Sequence, residues 1–181
     1  MGYPCTMAVT GSLPFVDAAA LLRDDVAFLE REVGAWSLLG RPLVESGDAW
    51  SYRTRSLEPT LVHVGSSKVL LHGDDVILPC KKRPGTSFSS VIFIGRASSN
   101  DIEIAHSSIS KLHARLELKS ATSAALSDAG SSNGTFVDEV RLAQDEHKDV
   151  TSGSVITFGS CTYVLVSSSV LRRLLSEPAP R

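Results

Sequence analysis

Three short clusters carry the side chains with the most usable chemistry: Gly95-Arg96, Ser110-Lys111-Leu112-His113 and Ser131-Ser132-Asn133-Gly134-Thr135. Together they supply a guanidinium, an ammonium, several hydroxyls and a carboxamide. That set suits a phosphate monoester, which carries a charge of about −1.5 to −2 and three acceptor oxygens. Arginine offers a planar fork of donors, lysine a point charge and serine a neutral donor, so the three can divide the oxygens among them. Nothing in this set demands bond breaking. A hydrolytic reading would combine Ser110, His113 and Asp128, but the Gly-x-Ser-x-Gly nucleophile elbow is absent. His63, His72, His106, His113 and His147 have no metal-ligand spacing with one another or with a cysteine. The expectation is therefore a binding protein with no catalytic residue, metal or cofactor. Asn133-Gly134-Thr135 also fits a glycosylation acceptor, which is set aside as a coincidence of a tight-turn signal in a chain without a secretory leader.

These clusters sit at the ends of short β-like runs. Runs at 91–94, 102–104, 114–118, 125–127, 135–137, 155–158 and 163–166 follow one another closely. Earlier runs at 50–56, 61–64, 68–71 and 76–78 are separated by turn signals at Glu58-Pro59, Gly65-Ser66 and Gly73-Asp74. Many short strands at such intervals predict a β-sandwich or barrel, with the clusters on loops over a rigid scaffold. The basic stretch Lys81-Lys82-Arg83-Pro84-Gly85 reads as a solvated hairpin end. Upstream, Leu22, Val26, Leu29, Val33 and Trp36 recur at spacings of four and three, which predicts an amphipathic helix over 17–39. Asp17 would cap it, and Gly40 before Arg41-Pro42 would end it. Its stripe is expected to pack on the rest of the chain; helix-mediated docking or self-association is the alternative. A short helix at 170–175 would expose Arg172 and Arg173, followed by a frayed tail.

Composition narrows the function classes. The 181 residues are 43% hydrophobic and 21% charged with net charge −2, enough apolar material for a packed core and too little positive field for a general nucleic-acid binder. The charge is uneven: residues 1–80 carry −4, 81–119 carry +4 and 120–181 carry −2. A small anion pocket in the basic centre fits this distribution. The longest apolar runs fall far short of the roughly 20 residues a membrane span needs. Cys5, Cys80 and Cys161 lie too far apart for a disulfide framework or thiolate knuckle, which favours a reducing, cytoplasmic setting. Met1-Gly2 with Thr6 satisfies a loose N-myristoylation pattern, with Cys5 as a second acyl site; the bulky Tyr3-Pro4 makes chance the better explanation.

The order and spacing of these motifs resemble the forkhead-associated (FHA) family. The resemblance runs through Phe93-Ile94-Gly95-Arg96, Ser99-Asn100-Asp101-Ile102-Glu103-Ile104, Ile109 to Leu116, Leu126-Ser127-Asp128, Ser131 to Val137, and Gly153 to Gly159. It implies a mainly β fold: a β-sandwich of about eleven strands whose loops bind phosphothreonine peptides, here with an N-terminal amphipathic helix and β-rich extension. The implied organisation is an extension over 1–72, the FHA domain over 73–168 and a short helix with tail over 169–181. Arg96 resembles the family's phosphate-binding arginine and Ser110 its phosphate-binding serine. Lys111 matches a further phosphate-facing position, Asn133 the asparagine that bonds the peptide backbone, and Ser132 a loop position that touches the ligand. Gly95, His113 and Gly134 match positions read mainly as structural. The family pattern has Asn-Gly where Asp138-Glu139 stands and Gly-Asp where Gly153-Ser154 stands, departures that touch turns, not the pocket. Ser108 stands where some members use arginine to select an acidic residue, so no strong acidic preference is implied there. The implied partner is a phosphothreonine-containing protein, a Ser/Thr kinase or its substrate, with no nucleic acid and no membrane. A phosphate-independent interaction or oligomerisation scaffold is the alternative.

Overall fold

The computed structural model describes residues 13–14, 26–40, 60–64, 67–71, 75–83 and 90–176. The strand expected at 50–56, the turns at Glu58-Pro59, Gly65-Ser66 and Gly73-Asp74, the helical stretch 17–25, the acylation pattern and the C-terminal tail lie outside these residues. Fourteen strands are present among the described residues: β1 (Leu13–Pro14), β2 (Trp36–Gly40), β3 (Thr60–Val64), β4 (Ser67–Leu71), β5 (Val76–Pro79), β6 (Val91–Gly95), β7 (Ile102–Glu103), β8 (Ala114–Leu118), β9 (Ala124–Asp128), β10 (Thr135–Val137), β11 (Val140–Arg141), β12 (His147–Val150), β13 (Val155–Phe158) and β14 (Cys161–Ser167). Two helices accompany them, α1 (Val26–Val33) and α2 (Ser168–Ser176). No described helix is long and apolar enough to cross a membrane.

The strands form a β-sandwich. One sheet has seven strands in the order β1-β5-β2-β14-β13-β10-β11, the other five in the order β12-β9-β8-β6-β7, and β3-β4 is a separate hairpin. Period-two alternation decides which side chains go inward. On β6, Ile92 and Ile94 are buried while Val91 and Phe93 are half-buried. Ile92, Ile94 and Leu116 of the smaller sheet meet Trp36, Leu38, Ile156, Phe158, Tyr163 and Leu165 of the larger in one core. The opposite face of the larger sheet is also covered. There Leu39, Ile77, Val164 and Val166 pack with Val33 from α1, Val62 and Val64 from β3, and Leu171, Leu174 and Leu175 from α2. Two polar contacts fasten this outer layer: Arg173 donates to the His63 carbonyl at 3.0 Å, and Ser67 Oγ to the Gly153 carbonyl at 2.8 Å. Cys80 and Cys161 are buried thiols, and burial pushes that of Cys80 up to about 12.

The upstream helix ends earlier than its periodicity implies. It ends at Val33, where Gly34 takes a φ of 65° that glycine adopts without strain, and Trp36–Gly40 is the strand β2. The spacing from Val33 to Trp36 happens to suit a helix, but pairing overrides it. β2 bonds antiparallel to β14 on one side, Leu38 opposite Leu165, and to β5 on the other, Leu38 opposite Leu78. Trp36 therefore lies in the sandwich core, and its Nε1 donates to the Ser120 carbonyl at 2.8 Å.

The basic stretch also departs from a solvated hairpin end. Lys82 Nζ pairs with Asp101 Oδ2 at 2.7 Å, where the two side chains are only 15% and 2% exposed, and also donates to the Val91 carbonyl at 2.7 Å. Asp101 further accepts the backbone N–H groups of Arg83 and Phe93 at 2.9 and 2.8 Å. Desolvation raises the Asp101 carboxyl, but the amide donors and Lys82 outweigh it and hold it below the ordinary range.

The β10–β11 hairpin turns on Asp138 and Glu139, with φ of 49° and 69°. Left-handed backbone costs a non-glycine residue roughly 1–2 kcal/mol. Asp138 is anchored there because its carboxylate accepts the Val155 N–H at 2.9 Å, whereas Glu139 is exposed. Glu139→Gly is expected to stabilise the protein by about 1 kcal/mol, raising the melting temperature by roughly 3 °C, as differential scanning calorimetry can check.

Candidate functional site

Arg96, Ser110, Lys111, Ser132 and Asn133 come together at one end of the sandwich because three loops are bonded to one another there. The Arg96 N–H donates to the Ser110 carbonyl at 2.9 Å and the Ala97 N–H to the Lys111 carbonyl at 3.1 Å, joining the loop after β6 to the loop before β8. The Arg96 Nε donates to the Ile109 carbonyl at 3.1 Å, which aims the guanidinium along this seam while the residue stays exposed. Ser110 Oγ accepts the Ser132 N–H at 3.0 Å and donates to Ser132 Oγ at 3.5 Å. Asn133 Nδ2 donates to the Ser108 carbonyl at 2.8 Å. Lys111 is exposed in the same loop as Ser110.

The electrostatics favour an anion. The ion pairs among the described residues involve Arg31, Lys82, Arg115 and Lys119, and neither Arg96 nor Lys111 is in one. Two cations thus stand beside serine hydroxyls with no carboxylate of the described residues paired to them. A dianionic phosphate would find donors of three kinds within one loop cluster.

Four residues beneath the surface hold these loops. The His113 ring is fully buried, its Nδ1 accepting the Ser110 N–H at 3.1 Å and its Nε2 lying 3.1 Å from the Gly134 carbonyl. A carbonyl can only accept, so Nε2 carries the proton and one neutral imidazole bridges the Ser110 and Asn133 loops. Burial pushes its pKa below the usual 6.5, against the opposing pull of the Gly134 carbonyl and the Asp128 charge. Asp128 organises the Asn133 loop: Oδ2 accepts the Gly130 and Ser131 N–H groups, both at 2.9 Å, and Oδ1 the Ser131 and Thr135 hydroxyls, both at 2.6 Å. Ser131 Oγ then accepts the Gly134 N–H at 3.0 Å. The buried Asn100 carboxamide donates to the Ala97 and Lys111 carbonyls at 2.8 and 2.6 Å. A Cβ at Gly95 would lie 2.4 Å from the Lys111 carbonyl oxygen, so only glycine fits that crossing.

The hydrolytic alternative has no geometry to support it. It is the backbone N–H of Ser110, not its hydroxyl, that meets His113, while Asp128 spends its oxygens on the Gly130 to Thr135 turn. Spacing alone does not mark Asn100 or Asp101 as site-forming residues, and it offers Asp128 only as a member of the hydrolytic combination. For Asp128 the signal was present, since Asp followed by Gly130 and Ser131 favours a side chain bonding its own turn. For Asn100 and Asp101 the partners are distant in sequence and no local pattern reveals them.

Comparison with known proteins agrees with this architecture. Residues 92–159 match the family model described as the FHA domain. No curated protein matches the chain. Among solved structures, the chain is similar to an FHA domain from an Arabidopsis thaliana hypothetical protein, with 30% identity, 52% of this chain and 75% of that chain covered, and a TM-score of 0.41. It is also similar to the N-terminal FHA domain of S. cerevisiae Rad53p, solved in complex with a phosphothreonine peptide, with 18% identity, 54% and 89% covered, and a TM-score of 0.43. The FHA domain of the Chlamydia trachomatis CT664 protein shows 17% identity, 73% and 97% covered, and a TM-score of 0.41. With its motifs in order along a two-sheet sandwich, the chain carries an FHA domain over residues 92–159.

Proposed function

We propose that this FHA domain is a non-enzymatic reader of phosphothreonine in partner proteins, working downstream of a Ser/Thr kinase. Arg96, Ser110 and Lys111 are assigned to the phosphate, and Ser132 and Asn133 to the peptide beside it. Gly95, His113 and Gly134 are assigned to holding the loops. The observation that carries the reading is the bonding of three loops into one cluster with two cations outside the ion pairs of the described residues. The binding unit in this proposal is 73–168 together with β2 and α2, since β2 is an interior strand and α2 covers the outer face of the same sheet.

Charge-assisted hydrogen bonds contribute roughly 1.5–3 kcal/mol each, so two or three can support micromolar affinity, about −8 kcal/mol. The test is calorimetric titration with matched peptides from a phosphothreonine library, each in threonine and phosphothreonine form. Binding of the phosphothreonine form alone is expected. Equal affinity for the two forms would sink the proposal in favour of a phosphate-independent scaffold.

A further inference from the structure

The Asn133 loop has a second side. Asn133 reaches toward Ser108, whereas Gly130, Ser131 and Gly134 form one wall of an open cleft of about 510 Å³, whose lining includes Asp128, Arg141 and Gln144. Arg141 lies on β11, the outermost strand of the seven-stranded sheet, and is exposed. Its guanidinium lies 6.0 Å from the Phe136 ring centroid, across the hairpin, and its Nε is 2.8 Å from where a Gly134 Cβ would be. Glycine at 134 leaves room for the arginine to lean over the loop.

The lining of this cleft carries one positive and one negative side chain. Asp128 is its one acidic lining residue, and its two oxygens already accept four donors from the loop. Among the described residues Arg141 is in no ion pair. The Gln144 carboxamide stands near Gly130, with Nε2 3.3 Å from where a Gly130 Cβ would be, and donates to Asp145 Oδ2 at 3.4 Å. A planar cation outside the ion pairs of the described residues therefore lines an open cleft whose wall is the loop assigned to the peptide.

We infer that this cleft is a second anion subsite, which takes an acidic group of the same bound peptide, a carboxylate or a second phosphate, with Arg141 as its reader. The inference rests on the phosphothreonine reading of the primary site. A guanidinium matches either group through two parallel hydrogen bonds. Because the cleft is open to water, the preference it confers is modest, roughly three- to tenfold.

The test is an acidic walk on the full chain. Glutamate is moved one position at a time along an alanine-background phosphothreonine peptide, and phosphoserine is then placed at the best position. The wild-type protein is expected to gain affinity at one position. Arg141→Gln should lose that gain while binding the all-alanine phosphopeptide as before, and Arg141→Glu should prefer lysine at the same position. A larger gain with phosphoserine assigns the subsite to a second phosphate, and equal gains assign it to acidic side chains. A flat walk, or the same peak in Arg141→Gln, overturns the inference and leaves the primary site intact. If the all-alanine phosphopeptide binds no better than its unphosphorylated twin, the phosphothreonine reading falls and this inference with it.

Discussion

Replacing Arg96 by alanine is expected to weaken phosphothreonine-peptide binding by at least about 100-fold while leaving the melting temperature nearly unchanged. The loss follows from the fork geometry: removing two charge-assisted hydrogen bonds at roughly 1.5–3 kcal/mol each costs two or more decades in affinity. The small effect on stability follows from exposure. Among the described residues the side chain donates from Nε to the Ile109 carbonyl, and the seam itself is held by the Arg96 backbone N–H, which alanine retains. Arg96→Lys should fall between the two, since it keeps the charge and loses the fork. Calorimetry with matched peptides and thermal melts decides the matter. Retained affinity in Arg96→Ala would move the phosphate elsewhere.

Asp128→Ala is expected to act in the opposite way, destabilising the fold by about 3 kcal/mol or more and disordering the Asn133 loop. Its buried carboxylate satisfies four donors, including the hydroxyl of the fully buried Thr135, and alanine leaves them without that acceptor. The same bonds set its acid response. Desolvation raises the carboxyl, yet the Ser131 and Thr135 hydroxyls and the Ser131 and Gly130 amides overcome this and hold it below the ordinary value of 3.8. A depressed carboxylate contributes stability that is fully present above its unfolded pKa and is lost as pH falls through the folded one. Urea denaturation of Asp128→Ala at neutral pH should show a clearly lower midpoint, and the gap to wild type should narrow in strong acid. An unchanged midpoint at neutral pH would show that the loop stands without its carboxylate.

The sequence exposed much of the sandwich because period-two runs and turn residues act locally. β6, β8, β9, β10, β13 and β14 all fall within two residues of their apolar runs. The candidate loops were legible for the same reason, as each is a compact motif between two strands. What could not be read depends on distant pairing. Trp36 completes a helical stripe by spacing, yet its place is set by β5 and β14, which contribute nothing to the local pattern. Lys82 looked like one of three solvated cations until Asp101 supplied a buried partner. Arg141 escaped notice because its importance comes from leaning over a glycine seven residues earlier in the chain, in a conformation no motif records.

The position of β2 has a consequence for how the protein is made. This early strand lies between β5 and β14, with Leu39 opposite both Ile77 and Val164. On a ribosome, β2 and β5 are synthesised long before β14 and remain half-paired until the last strand has emerged. Such long-range closure is the costly step for β topologies, because the entropy of bringing the two segments together is spent before their contacts form. Completion of this sheet thus waits for β14, and until then the unpaired flank of β2 is where a premature partner would attach.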